Sequence, residues 1–146
     1  MTQTLVIAMI AGRRCAFLAE DVKSVIETGM IVPVPRAPEY ILGVTALRSQ
    51  ALTVLDCRIA IGCEGHDHPT DERTIVVSHA GHTYALAVDQ VDDITEAGGD
   101  PVPVPGGLGT QWSRISRGMV ETTSGPALLL DIANLITSPN TRAKVA

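Results

Sequence analysis

Apolar and polar positions run along this chain in two similar passes. Leu5–Ala11 is an almost unbroken apolar run, Gly12-Arg13 interrupts it, and Arg14–Leu18 resumes it. That pattern predicts two strands, Thr4–Ala11 and Arg14–Leu18, around a tight turn. In Ala19–Glu27 the period changes: Val22, Val25 and Ile26 fall at helical spacing behind Glu20-Asp21, which predicts a short helix. Pro33, Pro35 and Pro38 exclude helix and sheet interiors from the following stretch. Tyr40–Leu47 and Ala51–Leu55 then read as a hairpin around Arg48-Ser49-Gln50, and Asp56 stands as N-cap of a short helix closed by Gly62.

The second pass repeats the first. Arg73–Ser78 and Thr83–Ala87 around Ala80-Gly81 copy the opening strands, and Asp89–Ile94 copies the short helix. Ile115–Glu121 and Ala127–Leu130 copy the hairpin, and Asp131 caps a helix over Ile132–Thr137. In register, Gly12 meets Gly81, Val22 meets Val91, Val25 meets Ile94 and Glu27 meets Glu96; downstream, Gly43 meets Gly118 and Asp56 meets Asp131. The offset between copies grows on the way, and the Pro/Gly-rich loop Gly98–Gly109 is the expected place of the insertion. The expected organisation is one domain over 1–146 with subdomains of about 12–62 and 73–137, a polar linker at 63–72 and a frayed tail at 138–146. Strand, strand, short helix, extended loop, hairpin and short helix is the content of a small barrel, not of a βαβ layer. Two such units offer a surface and a seam; they do not by themselves make a catalytic pocket.

Composition narrows the function further. Hydrophobic residues make up 45% and charged residues 18%, so a packed core is affordable in 146 residues and disorder is not expected. The aromatics are Phe17, Tyr40, Tyr84 and Trp112, too few for base-stacking platforms, and a net charge of −5 without a Lys/Arg cluster leaves no footprint for nucleic acid. Leu5–Ala11 is too short to span a bilayer, and its flanking charges have the wrong order for a secretory signal. Three cysteines form no paired framework, which suits a reducing cytoplasm.

Candidate chemistry is sparse. Cys63, His66 and His68 are zinc-type ligands within six residues, but a structural zinc site draws on two separated pairs; a small metal-binding or redox protein is the alternative they define. Cys15 and Cys57 lack an ordered partner base, Asp56 and Asp131 sit where helix caps sit, and Gly106-Gly107-Leu108-Gly109 lacks the Lys-Ser/Thr ending of a phosphate loop. No enzyme signature is present, so no catalytic residue and no cofactor is assigned. Arg48 stands apart, a guanidinium at a hairpin tip among the small residues Ala46, Ser49 and Ala51.

Tyr40–Ser49, followed by Leu52-Thr53-Val54-Leu55-Asp56-Cys57-Arg58, resembles the central motif of the CheW-like family, roughly GV-x-N-LRG and then P-V-x-D-L-R. Phe17–Val22, Pro35–Pro38, Ala87–Val91 and Leu128–Ile132 add matches in the same order. These are adaptor domains of bacterial chemosensory systems. The resemblance implies a mainly β fold of two intertwined five-stranded SH3-like barrels with short helices and an exchanged N-terminal strand. It implies a non-enzymatic cytoplasmic adaptor between the tip of a methyl-accepting chemoreceptor and the regulatory domain of a CheA-type histidine kinase, or a component that self-associates in an array. Partner-binding residues expected on this basis are Arg48, Leu47, Val44, Val22, Val25, Ser24 and Glu27. The chain departs from the pattern at Ala46, Ser49 and Thr53, where the family has Asn, Gly and Pro, and at Ser24, where an acidic residue is frequent.

Overall fold

A computed structural model describes residues 3–63 and 71–137. Its strands are β1 (Thr4–Ile10), β2 (Arg13–Leu18), β3 (Val22–Glu27), β4 (Ile41–Leu47), β5 (Gln50–Asp56), β6 (Arg73–His79), β7 (His82–Ala87), β8 (Gln90–Glu96), β9 (Ser116–Thr122) and β10 (Gly125–Leu130). Three short helices, α1 (Cys57–Ile61), α2 (Thr110–Ser113) and α3 (Ile132–Thr137), and a 3₁₀ turn at Ala19–Asp21 complete it. The strands form two five-stranded sheets, ordered β8-β1-β2-β10-β9 and β3-β6-β7-β5-β4.

Each sheet mixes the two halves of the chain. The opening hairpin β1–β2 joins the strands of the second half, and β6–β7 joins those of the first. Each guest hairpin meets its host through a parallel pair, β2 with β10 and β7 with β5, while the other pairs are antiparallel. The chain leaving β3 returns to the free edge of β4 at Val32, and the chain leaving β8 returns to β9 at Ala97 and Val102.

This arrangement explains why β1 is apolar at nearly every position: both its faces are buried. Leu5 and Ile7 pack with Ala16, Leu18, Val120 and Leu129 inside one sheet. Val6, Ala8 and Ile10 turn the other way, into the large core shared by both sheets with Phe17, Leu55, Ile75, Leu86 and Leu128. Leu52, Val54, Val76, Ala85 and Ala87 fill the third core, inside the other sheet.

Three expectations are corrected. The helices expected over Ala19–Glu27 and Asp89–Ile94 are largely strand: only Ala19–Asp21 makes a helical turn, and β3 and β8 pair with β6 and β1. A bulge between Val22 and Ser24 breaks the alternation, so Val22 reaches the shared core while Ile26 reaches the core of its own sheet. That is how a strand imitated helical spacing. The first turn lies at Ala11-Gly12 (φ 53° and 78°), one residue earlier than expected; Ala80-Gly81 repeats it with φ 51° and 82°. Positive φ at both central residues is the two-residue hairpin geometry that matches strand twist.

The insertion is also misplaced. Val32-Pro33-Val34-Pro35 has a structural copy in Val102-Pro103-Val104-Pro105. Val32 bridges to Val44 as Val102 does to Met119, and Ala37 N donates to Val34 O as Gly107 N does to Val104 O. The added residues therefore enter mainly after this repeat and build α2. There Trp112 is buried, the Arg13 guanidinium lies 4.8 Å from its ring centroid, and Arg114 Nη2 donates to Ala60 O (3.0 Å) and Ile61 O (3.3 Å). Gln111 Nε2 donates to Gly62 O at 3.1 Å, so the insertion satisfies carbonyls at the end of α1 that helix geometry leaves open. Among the described residues no helix is long and apolar enough to cross a membrane.

Candidate functional site

The β4–β5 hairpin closes through Leu47 paired with Gln50, leaving Arg48 and Ser49 as a two-residue turn with φ 50° and 72°. Both residues are exposed, and the Arg48 side chain meets no hydrogen-bond or ion-pair partner among the described residues. Gln50 Nε2 donates to Thr83 Oγ1 of β7 at 3.0 Å, fixing the base of the tip. Non-glycine residues in the left-handed region carry strain, so this guanidinium is held out by a turn that its own sequence disfavours.

Beside the tip lies an apolar concavity of about 600 Å³, lined by Met30, Val32, Val44, Ala46, Ser49 and Ala51 among others. Its wall is the chain returning from β3. Val32 N donates to Val44 O (2.8 Å), Val44 N to Val32 O (2.9 Å), and Thr45 Oγ1 to Met30 O (2.9 Å). Gly43, at φ 149°, makes room for this approach. Met30 is 83% exposed, Val32 57% and Val34 44%, a run of apolar side chains in water of the kind that marks an interaction surface. Sequence reasoning passed over these three residues. Their signal was apolar side chains set between prolines, on a segment that cannot enter a sheet interior.

The expected partner residues fall into two groups. Val44 lines the concavity next to Arg48, and Leu47 is half-buried against the core beneath it. Val22, Ser24, Val25 and Glu27 lie on β3, at the opposite edge of the same sheet. Val22 packs on the shared core, Val25 is exposed, and Glu27 lines a polar recess of about 340 Å³ with Asp71, Glu72, Arg73, Asp89 and Gln90.

The remaining candidate chemistry is structural in its surroundings. Burial pushes the Cys15 thiol up to about 12 and raises Cys57 and Cys63 as well, against the thiolate a nucleophile or metal ligand needs. Asp56 caps α1, accepting from Arg58 N (3.0 Å) and Ile59 N (3.4 Å), with its carboxyl raised by burial against those same hydrogen bonds. Asp131 caps α3 through Asn134 N at 3.0 Å. Burial opposes ionisation of Asp71, but hydrogen bonds from Arg73 and from Val91 N outweigh it and hold the carboxyl low. No group of three metal-ligating side chains occurs among the described residues; His66 and His68 lie outside them.

A strained arginine tip and an apolar trough, on two sheets that exchange hairpins, make a surface of the kind that binds other proteins rather than a catalytic pocket. The CheW-like domain model matches residues 4–140, and the chain belongs to that family. The scaffolding protein TtCheW from Thermoanaerobacter tengcongensis has the same fold, with a TM-score of 0.77 at 23% identity over 89% of each chain. Protein FrzA of Myxococcus xanthus is 45% identical over 47 residues, which are 32% of this chain and 29% of FrzA.

Proposed function

We propose that this chain is a non-enzymatic chemosensory adaptor in the cytoplasm, coupling a methyl-accepting chemoreceptor to a CheA-type histidine kinase. The observation that carries this reading is the exposed Arg48, without a partner among the described residues, set beside the apolar trough of Met30, Val32 and Val44, the anchor-and-pocket pattern of an interface centre. Val22, Ser24, Val25, Glu27 and Leu47 contribute from the edges of the same sheet, the half-buried ones by shaping it. Co-elution of the chain with a kinase regulatory domain and a receptor-tip fragment tests the bridge. A ternary peak supports it, and separate elution of all three opposes it.

One observation favours a second reading, self-association in an array. Ile94 is 65% and Val102 55% exposed, at the positions equivalent to Val25 and Val32, so each half offers an apolar patch. Sedimentation at several concentrations, without any kinase domain, separates this reading from bridging.

A further inference from the structure

Two arginines bracket the apolar trough. Val32 and Val44 bridge antiparallel, so Arg36 and Arg48, each four residues beyond that bridge, lie at opposite ends of the run Met30, Val32, Val34. Extended backbone, rising about 3.3 Å per residue, sets the two positions roughly 20–25 Å apart. Both side chains are exposed, and neither makes a hydrogen bond or ion pair with a described residue. Both residues stand at positive φ, 66° and 50°.

The second half shows that the fold does not require this arrangement. Val102-Pro103-Val104-Pro105 repeats the wall of the trough and closes with the same hydrogen bond, Gly107 N to Val104 O matching Ala37 N to Val34 O. There Gly106 takes the position of Arg36, at φ 79°, and serves the turn with less strain. Thr123 takes the position of Arg48 at the hairpin tip, and Asp100 that of Met30. Val104 packs on the shared core, whereas Val34 is 44% exposed. Cation, apolar run and cation stand together in the first half and not in its copy.

We infer that the trough receives an amphipathic helix of a partner protein. Its apolar stripe lies on Met30, Val32 and Val34, and an acidic residue near each end meets Arg36 and Arg48. Carboxylates are the groups that a guanidinium fork pairs with in two parallel hydrogen bonds. A strand does not fit. Val32 spends both its backbone groups on Val44, and the outward-facing positions beside it are Pro33 and Pro35, which have no N–H for an added strand. A helix binds through side chains alone, and at 1.5 Å per residue it covers the span in about 14–16 residues, some four turns. The inference rests on the adaptor reading of this surface and names the shape and charge of what it binds.

Selection on the full chain from a displayed library of helix-forming peptides, about 20 residues long, tests it. Enriched peptides are expected to carry an apolar i, i+3, i+4, i+7 stripe between acidic residues about four turns apart. Amide NMR shifts on binding are expected to centre on Val32, Val34 and Ala46. Arg36→Gly, the residue of the twin turn, is expected to weaken a selected peptide about threefold without loss of stability. Arg36→Glu weakens it about tenfold, and lysine in place of the acidic residue at one end of the peptide restores the affinity. No enriched peptide, enriched peptides without the flanking acids, or equal affinity for the parent and Arg36→Glu would each overturn the inference. The adaptor reading is judged separately, by whether the parent chain binds a kinase regulatory domain or a receptor tip.

Discussion

Gly43 passes so close to Val32 that a side-chain carbon at position 43 would meet the Val32 carbonyl oxygen at 2.3 Å. This contact holds the trough together, because the Val32–Val44 bridge depends on it. Gly43→Ala is expected to cost about 2–4 kcal/mol, combining overpacking with strain at positive φ. Gly118, the structural copy, meets Val102 O at the longer distance of 2.8 Å, so Gly118→Ala is expected to cost less. Urea unfolding of the two variants checks the order.

Ser49 sits at φ 72° in the Arg48-Ser49 turn, where the family pattern has glycine. Ser49→Gly relieves the left-handed strain and is expected to stabilise the chain by about 0.5–1 kcal/mol, net of the unfolded-state entropy glycine adds. A shift of the unfolding midpoint to higher denaturant is the outcome to look for.

Asp56 is 2% exposed and caps α1 while burial raises its carboxyl above the usual value. A raised pKa means the folded state binds the proton more tightly, so this group's contribution is full below the ordinary carboxylate range and is lost as pH rises through the folded value. Asparagine keeps the cap without the buried charge. Asp56→Asn is therefore expected to match or exceed the parent stability at pH 7, and Asp56→Ala to lose about 1–2 kcal/mol. Thermal melts at pH 7 distinguish them.

Asp71 behaves oppositely. Its lowered carboxyl adds stability that is present above the unfolded value near 3.8 and disappears as pH falls through the folded value. With Arg73 it ties β6 of one sheet to Val91 of the other, so the loss loosens the seam. Asp71→Asn is expected to be less stable than the parent at pH 7 and to converge with it in acid. A stability profile taken from pH 7 down to acid gives the answer.

Much of the fold was legible because duplication doubled many of its signals. The hairpins and the caps at Asp56 and Asp131 follow from local chemistry that the chain states twice, and the Gly62 stop from chemistry it states once. β3 and β8 were not legible: a bulge at Val22–Ser24 in β3 and a register shift between Val91 and Ile94 in β8 made their spacing helical, and only pairing with distant β6 and β1 decides in favour of strand. The trough was half legible. Arg48 and Val44 announced themselves through the motif, whereas Met30, Val32 and Val34 were hidden in a proline-rich stretch whose placement against β4 is a tertiary fact. The repeated Val-Pro-Val-Pro was in plain view, and it would have moved the insertion from the loop to α2.

The adaptor reading stands most directly on Arg48 and its trough, and titration calorimetry against a CheA-type kinase regulatory domain tests it. Saturable binding is expected, weakened by about 1–3 kcal/mol in Arg48→Ala and comparably in Val32→Glu, with the melting temperature of Arg48→Ala unchanged. Affinity that survives both substitutions, or no binding by the unmodified chain to either the kinase domain or a receptor tip, would contradict the account.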